Sequence, residues 1–78
     1  MSRFFFHLRG GGLDFPDPVG TDCGGAADAR RYALRLAEDL VAADEIGPHL
    51  PPTAYVDVED EQLRPVFMLP LRSSVSER

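Results

Sequence analysis

The chain has a single cysteine, no basic tail and no long apolar run. Each shortage excludes something. Cys23 alone forms no disulfide within the chain. His7, His49 and Cys23 are scattered without short ligand spacing, so no metal site and no cofactor are expected. A formal net charge of −5 disfavours non-specific nucleic-acid binding and anionic membrane surfaces. No apolar stretch approaches the roughly 18–20 residues of a membrane span. The opening Met1-Ser2-Arg3-Phe4-Phe5-Phe6 is too short for a signal peptide, and Arg9 follows quickly. A cytoplasmic protein with a reduced thiol is the expectation.

What remains is 78 residues, enough for one domain. A core of this size leaves little net stability once chain entropy is subtracted. With disulfides and metal set aside, a partner subunit is the remaining stabilising device, and a homodimer is expected. The domain is expected over 1–72, with a flexible tail over 73–78.

Residues 3–9, RFFFHLR, are strand formers bounded by glycine. Gly10-Gly11-Gly12 suits a tight reversal, and Leu13–Phe15 can form a second strand, ended by Pro16 and Pro18. Asp17-Pro18-Val19-Gly20 reads as a turn. From Ala26 to about Ile46 there is no proline or glycine. Ala29, Ala33, Leu36, Ala37, Leu40 and Ala43 form one apolar stripe of a helix, with Gly25 as its N-cap and Gly47-Pro48 as its stop. TAYVDVED alternates as a half-buried strand. Asp60-Glu61-Gln62 turns the chain, and PVFMLPLR is the last strand. The fold class is α+β: β-β-α-β-β, a four-stranded antiparallel sheet in the order 2-1-3-4 with one helix on one face.

Strand alternation sorts the faces. Phe4, Phe6, Leu8, Val56, Val58, Phe67 and Leu69 belong under the helix. The outer face keeps Phe5, His7, Tyr55, Val66 and Met68. A contiguous patch of that kind marks an interface, so these five are the interface candidates, with a two-fold mate as the expected partner and another protein as a possible one; the alternative is that the outer aromatics merely lie beside arginine stems.

Candidates for chemistry are few. His7, near Tyr55 or Asp57, has the makings of a general base or pH switch, but no nucleophile accompanies it, and a packed histidine is preferred. Cys23 precedes the helix N-terminus, where a thiol can be activated; a small residue tucked under the first turn is the preferred reading. Gly20–Gly25 faintly resembles a phosphate cradle, yet it lacks the P-loop lysine, and Asp22 and Asp28 repel an anion. Arg31 and Arg35 share a helix face that Asp39 continues; a solvated row is preferred over a nucleic-acid contact. The helix is basic early and acidic late, against its dipole. The acidic run Asp57, Glu59, Asp60, Glu61 lacks calcium-loop spacing and reads as a solvated hairpin tip. No acid, base and nucleophile converge, so an enzymatic role, as a small hydrolase or metal enzyme, ranks last. A non-enzymatic interaction or assembly module ranks first.

The opening Arg3-Phe4-Phe5-Phe6-His7 resembles the R-[FY]-[FY]-F-H start of a group of short bacterial proteins of unknown function. Asp17-Pro18-Val19-Gly20 resembles their D-x-x-G element, Ala29–Arg35 their alanine/arginine-rich helix, and Val56–Glu61 their acidic hairpin. Gly25 departs from an acidic helix cap and Gln62 from a hairpin glycine. The resemblance implies no activity. A weaker likeness joins Phe15-Pro16-Asp17-Pro18-Val19-Gly20, the alanine/leucine helix and Gly47-Pro48-His49-Leu50-Pro51-Pro52 to HicB-type antitoxins. These have a degraded RNase H-like β-β-β-α-β scaffold and bind a small toxin. Val19 interrupts their P-G step, and no DNA-binding tail follows.

Overall fold

The computed structural model describes residues 1–74. The chain runs β1 (Ser2–Gly10), β2 (Leu13–Phe15), β3 (Thr21–Cys23), α1 (Ala26–Ala42), a 3-10 turn (Gly47–His49), β4 (Tyr55–Glu59), β5 (Pro65–Pro70) and α2 (Leu71–Ser74). The α+β class holds: one long helix packs on an antiparallel sheet. The sheet has five strands, not the expected four: the expected 2-1-3-4 appears as β2-β1-β4-β5, and the added β3 lies off this path, paired to β1. Thr21–Cys23, expected within the lead-in to the helix, is that added strand. The reason lies in β1, which is nine residues long while β2 pairs only Leu8 to Gly10. The backbone of Ser2–Phe4 would stay unpaired without β3, which supplies its partners.

Register confirms which residues share the inner face. Phe6 pairs with Val58, and Val58 with Phe67; Leu8 pairs with Val56, and Val56 with Leu69. Val56 and Val58 are wholly buried, as are Ala29, Ala33 and Ala37 of α1. The alanines let the helix backbone approach the sheet, and larger side chains flank them. On one flank Arg30 lies over the Phe67 ring at 5.9 Å; on the other Tyr32 meets Phe6 at 4.6 Å between ring centroids.

Three boundaries differ from expectation. α1 stops at Ala42, not near Ile46, because the chain must double back. Gly47 packs so tightly on the helix end that a Cβ there would run into the Val41 carbonyl oxygen, and the extended Ala43 frees the chain to reach it. The last strand ends at Pro70; Leu71 and Arg72 enter α2 instead. Leu71 N–H donates to the Ala54 carbonyl (3.1 Å), and the Arg72 guanidinium bonds the Gly47 and Leu50 carbonyls at 3.2 and 3.3 Å. The tail expected over 73–78 lies, past Ser74, outside the described residues. The third boundary is the β4–β5 turn, which spans Asp60 to Arg64. Asp60 holds it, its Oδ1 accepting from Gln62 N–H (2.9 Å) and Arg64 N–H (3.0 Å). The left-handed residue is Leu63, with φ 64°; Gln62 is not the position that calls for glycine. A left-handed L-residue costs about 1–2 kcal/mol, so Leu63→Gly is expected to stabilise the domain by about 1 kcal/mol, even after the added entropy of the unfolded chain. Thermal unfolding should then rise by about 4–8 °C; an unchanged or lower midpoint would refute the strain.

Candidate functional site

β2 and β3 lie along the same edge of β1, joined by the loop Pro16–Gly20. Between them the Phe6 N–H has no strand partner. The Asp17 carboxylate supplies one: Oδ2 accepts from Phe6 N–H at 3.2 Å, while Oδ1 accepts from Val19 N–H (3.1 Å) and Gly20 N–H (3.0 Å). Burial alone pushes this carboxyl up. The N–H groups of Gly20, Phe6 and Val19 outweigh it and hold the carboxyl below its ordinary value. Gly20 closes the loop with φ 81° against the side chains of Arg3 and Phe5, and Arg3 donates to the Val19 carbonyl at 2.7 Å.

This loop covers His7, which is only 6% exposed. Its Nδ1 accepts from Asp17 N–H at 2.9 Å. That assignment leaves the proton on Nε2, which donates to Glu59 Oε1 at 2.9 Å. Both ring nitrogens are therefore engaged within the chain. No lone pair is left to take a proton from a substrate, so His7 works as a strut between the loop and β4. Neither Tyr55 nor Asp57 bonds it. Asp57 sits opposite in register but pairs with Arg9 at 3.4 Å, and Asp14 lies on the other side of Arg9 at 3.5 Å.

The outer face is thus a mosaic. Phe5 is half-buried, stacked on His7 with centroids 6.5 Å apart and touched by the loop. Tyr55, also half-buried, pairs with Arg9 and Pro70, while Phe5 pairs with Glu59, so the row of His7, Asp57 and Met68 separates the two. Met68 (58% exposed) remains uncovered; Val66, expected beside it, is the extra residue of the β4–β5 register shift, where alternation is broken, and it lines a cleft with Phe4. The expected continuous patch is divided by charged side chains and partly roofed by the chain's own loop.

Cys23 is buried at the end of β3. Burial, and then the neighbouring Asp22 carboxylate, push its thiol above the ordinary range, the reverse of activation. Gly24 lies against the Asp28 carboxylate, which sets an acidic group where a phosphate would have to sit. Arg31 pairs with Asp28 one turn back, while Arg35 is exposed. Among the described residues no three His, Cys, Asp or Glu side chains are placed to hold a metal ion, and no helix is long and apolar enough to cross a membrane.

A family model described as a domain of unknown function (DUF6894) matches residues 3–72. The chain belongs to this family. The matched span runs from Arg3, which bonds the Asp17–Gly20 loop, to Arg72, which ties α2 to the 3-10 turn, so the DUF6894 domain includes both the loop strut and the last closure of the fold. No curated protein matches the chain, and no solved structure does. The antitoxin likeness gains no support from the comparisons, and a fifth strand follows the β-β-β-α-β order it implies. Two members of the loop strut escape the sequence reading. Asp17 is recognised there only as a turn residue, and Glu59 as part of a solvated tip. The Asp-x-x-Gly spacing is a signal for the first; the second needs the β1–β4 register.

Proposed function

We propose that this DUF6894 domain is a non-enzymatic, homodimeric interaction and assembly module, and that the outer sheet face is its self-contact. The observation that carries the reading is the exposure of Met68 on the strand beside the half-buried Tyr55, on the side of the sheet that α1 does not cover. The molecule measures 34 × 26 × 18 Å. Its broad side has the scale of the ~800 Å² per partner that a standard interface buries. β5 itself is protected from edge-to-edge pairing by Pro65, Pro70 and a register shift at Val58/Glu59, which favours contact through the face. The internal engagement of both His7 nitrogens and the raised thiol of Cys23 support the non-enzymatic part of the reading.

Met68→Glu puts a charge on the most exposed apolar side chain of this face. It is expected to weaken self-association by about tenfold or more, because an uncompensated interfacial charge is costly, while thermal unfolding of the monomer stays nearly unchanged. Sedimentation velocity across micromolar concentrations tests this. A wild-type chain that stays monomeric throughout, or a Met68→Glu chain that associates as wild type does, would overturn the reading.

A further inference from the structure

Beyond the favourably placed Asp28 of its first turn, α1 carries its charges in the order that its own dipole disfavours. Arg30, Arg31 and Arg35 come first; Glu38 and Asp39 follow, with Asp44 and Glu45 just beyond the helix. Carboxylates are favoured near a helix N-terminus and cations near its C-terminus. Pairing within the helix does not account for the reversal. Arg31 has Asp28, but among the described residues Arg35, Glu38 and Asp39 make no ion pair.

Beside this charged row runs an uncovered apolar surface. Phe15 is 62% exposed, Ile46 48% and Tyr32 42%. Phe15 and Ile46 border a cavity of about 350 Å³ between α1 and β2, floored by Leu8, Leu40 and Leu50. It continues past Leu8, Phe15 and Leu40 into a second cavity of about 310 Å³ that adds Tyr32 and Leu36. On the helix, Tyr32 and Leu36 are one turn apart, with Arg35 and Asp39 immediately to their solvent side.

We propose that this face binds a second copy of the chain, with the two α1 helices antiparallel about a two-fold axis. With the axis crossing between Arg35 and Glu38, that symmetry sets the arginine stretch of each helix against the carboxylates of the other. Arg31 and Arg35 of one copy then meet Glu38 and Asp39 of the other, twice over, so an order that is unfavourable within a helix becomes complementary between helices. Phe15, Tyr32 and Ile46 form the apolar, aromatic-rich centre, and the charged row forms the rim, the usual division of an interface. A parallel arrangement would set like charge against like and is disfavoured. A small apolar ligand in the groove would leave the charge order without a role.

This face is separate from the outer sheet face and does not rest on that reading. Where both contacts form, the outer-face dimer is the unit that α1 joins into a closed tetramer or a filament, because two different isologous contacts on one chain build no smaller assembly.

The test uses the full chain carrying Met68→Glu, so that contact through the outer face does not contribute. Three proteins are compared by sedimentation velocity at low salt: this parent, the parent with Arg31→Glu/Arg35→Glu, and the parent with Glu38→Arg/Asp39→Arg. Circular dichroism checks that each is folded. The parent is expected to dimerise. Each charge variant should bind itself at least about tenfold more weakly, since like charges then face each other, and an equimolar mixture of the two should recover the parental affinity as a heterodimer. Added salt should weaken the parental and mixed dimers alike. A monomeric parent overturns the proposal; so do variants that self-associate like the parent, or a mixture that binds no better than its components. The parent's state reports on α1 alone and the comparison of wild type with Met68→Glu on the outer face alone, so the failure of one is distinguishable from the failure of the other.

Discussion

Leu71→Ala is expected to cost the domain about 2–5 kcal/mol and bring it to the edge of unfolding at room temperature. Leu71 is wholly buried and the largest side chain in the domain to be so. It follows Pro70 at the end of β5, where its N–H bonds the Ala54 carbonyl, and α2 then packs on α1. Truncating a buried leucine costs about 2–5 kcal/mol, the lost transfer energy plus the cavity left behind. A single core of this size rarely supplies more than about 3–5 kcal/mol in total, so one substitution consumes most of it. Urea unfolding followed by circular dichroism measures the loss. Leu71→Met, which keeps the volume, should cost less than about 1.5 kcal/mol. If Leu71→Ala unfolds within about 1 kcal/mol of wild type, Leu71 is not the keystone of this core.

The Asp17 carboxylate carries the second large effect. Asp17→Ala removes the acceptor of three backbone N–H groups at once and loosens the loop over His7. A net hydrogen bond to a charged group is worth about 1.5–3 kcal/mol. The site is half-exposed, and water takes over part of the loss, so the expected cost is about 2–3 kcal/mol in total. Asp17→Asn is informative because its amide oxygen can keep Val19 and Gly20 while its NH₂ cannot accept from Phe6; an intermediate loss is expected.

The same carboxylate predicts a pH dependence with a definite sign. Its value in the folded protein lies below the ordinary one. The unfolded chain therefore binds the proton first as pH falls, and the stabilisation is complete above the unfolded value of about 3.9 and lost as pH drops through the folded value. Asp60 acts in the same window. The Arg64 N–H lowers its carboxyl, burial opposes, and the Gln62 N–H and the Arg64 side chain add to the lowering. Asp17→Asn should accordingly flatten the loss of stability between about pH 5 and pH 2 without abolishing it. Identical slopes for variant and wild type in urea titrations across that range would show that Asp17 makes no such contribution.

Much of this architecture can be read from local pattern. The alternation in Phe4-Phe5-Phe6 and Val56-Asp57-Val58 identifies the inner face, because strand geometry sends neighbouring side chains to opposite sides. The alanine spacing in α1 marks the residues that touch the sheet. Pattern fails where the deciding contact is distant. Gly47 ends the helix early through its approach to the Val41 carbonyl, and residues 43–46 read as helical because they contain no breaker. Thr21–Cys23 is too short for a period to show, and it becomes a strand only because β1 has an unpaired edge to offer.

The candidate site divides the same way. That His7 is a packed residue follows from the lack of a nucleophile beside it in sequence; that both its nitrogens are engaged requires Asp17, ten residues on, and Glu59, fifty-two residues on. The apolar outer face is legible as alternation, but Arg9, Asp57 and the Asp17–Gly20 loop, which divide and roof it, are brought there by register and by the path of a loop.

By itself the sequence determined an α+β domain, the set of side chains under the helix, the glycine reversals, and a helix whose charges oppose its own dipole. These follow from periodicity and backbone chemistry, which act within a few residues. The tertiary structure decided the fifth strand, the early helix end, the burial of His7, and which apolar side chains are left in solvent: Phe15, Tyr32 and Ile46 on one side, Met68 on the other. Those outcomes depend on which distant segments compete for the same edge or face, and only the folded chain settles that competition.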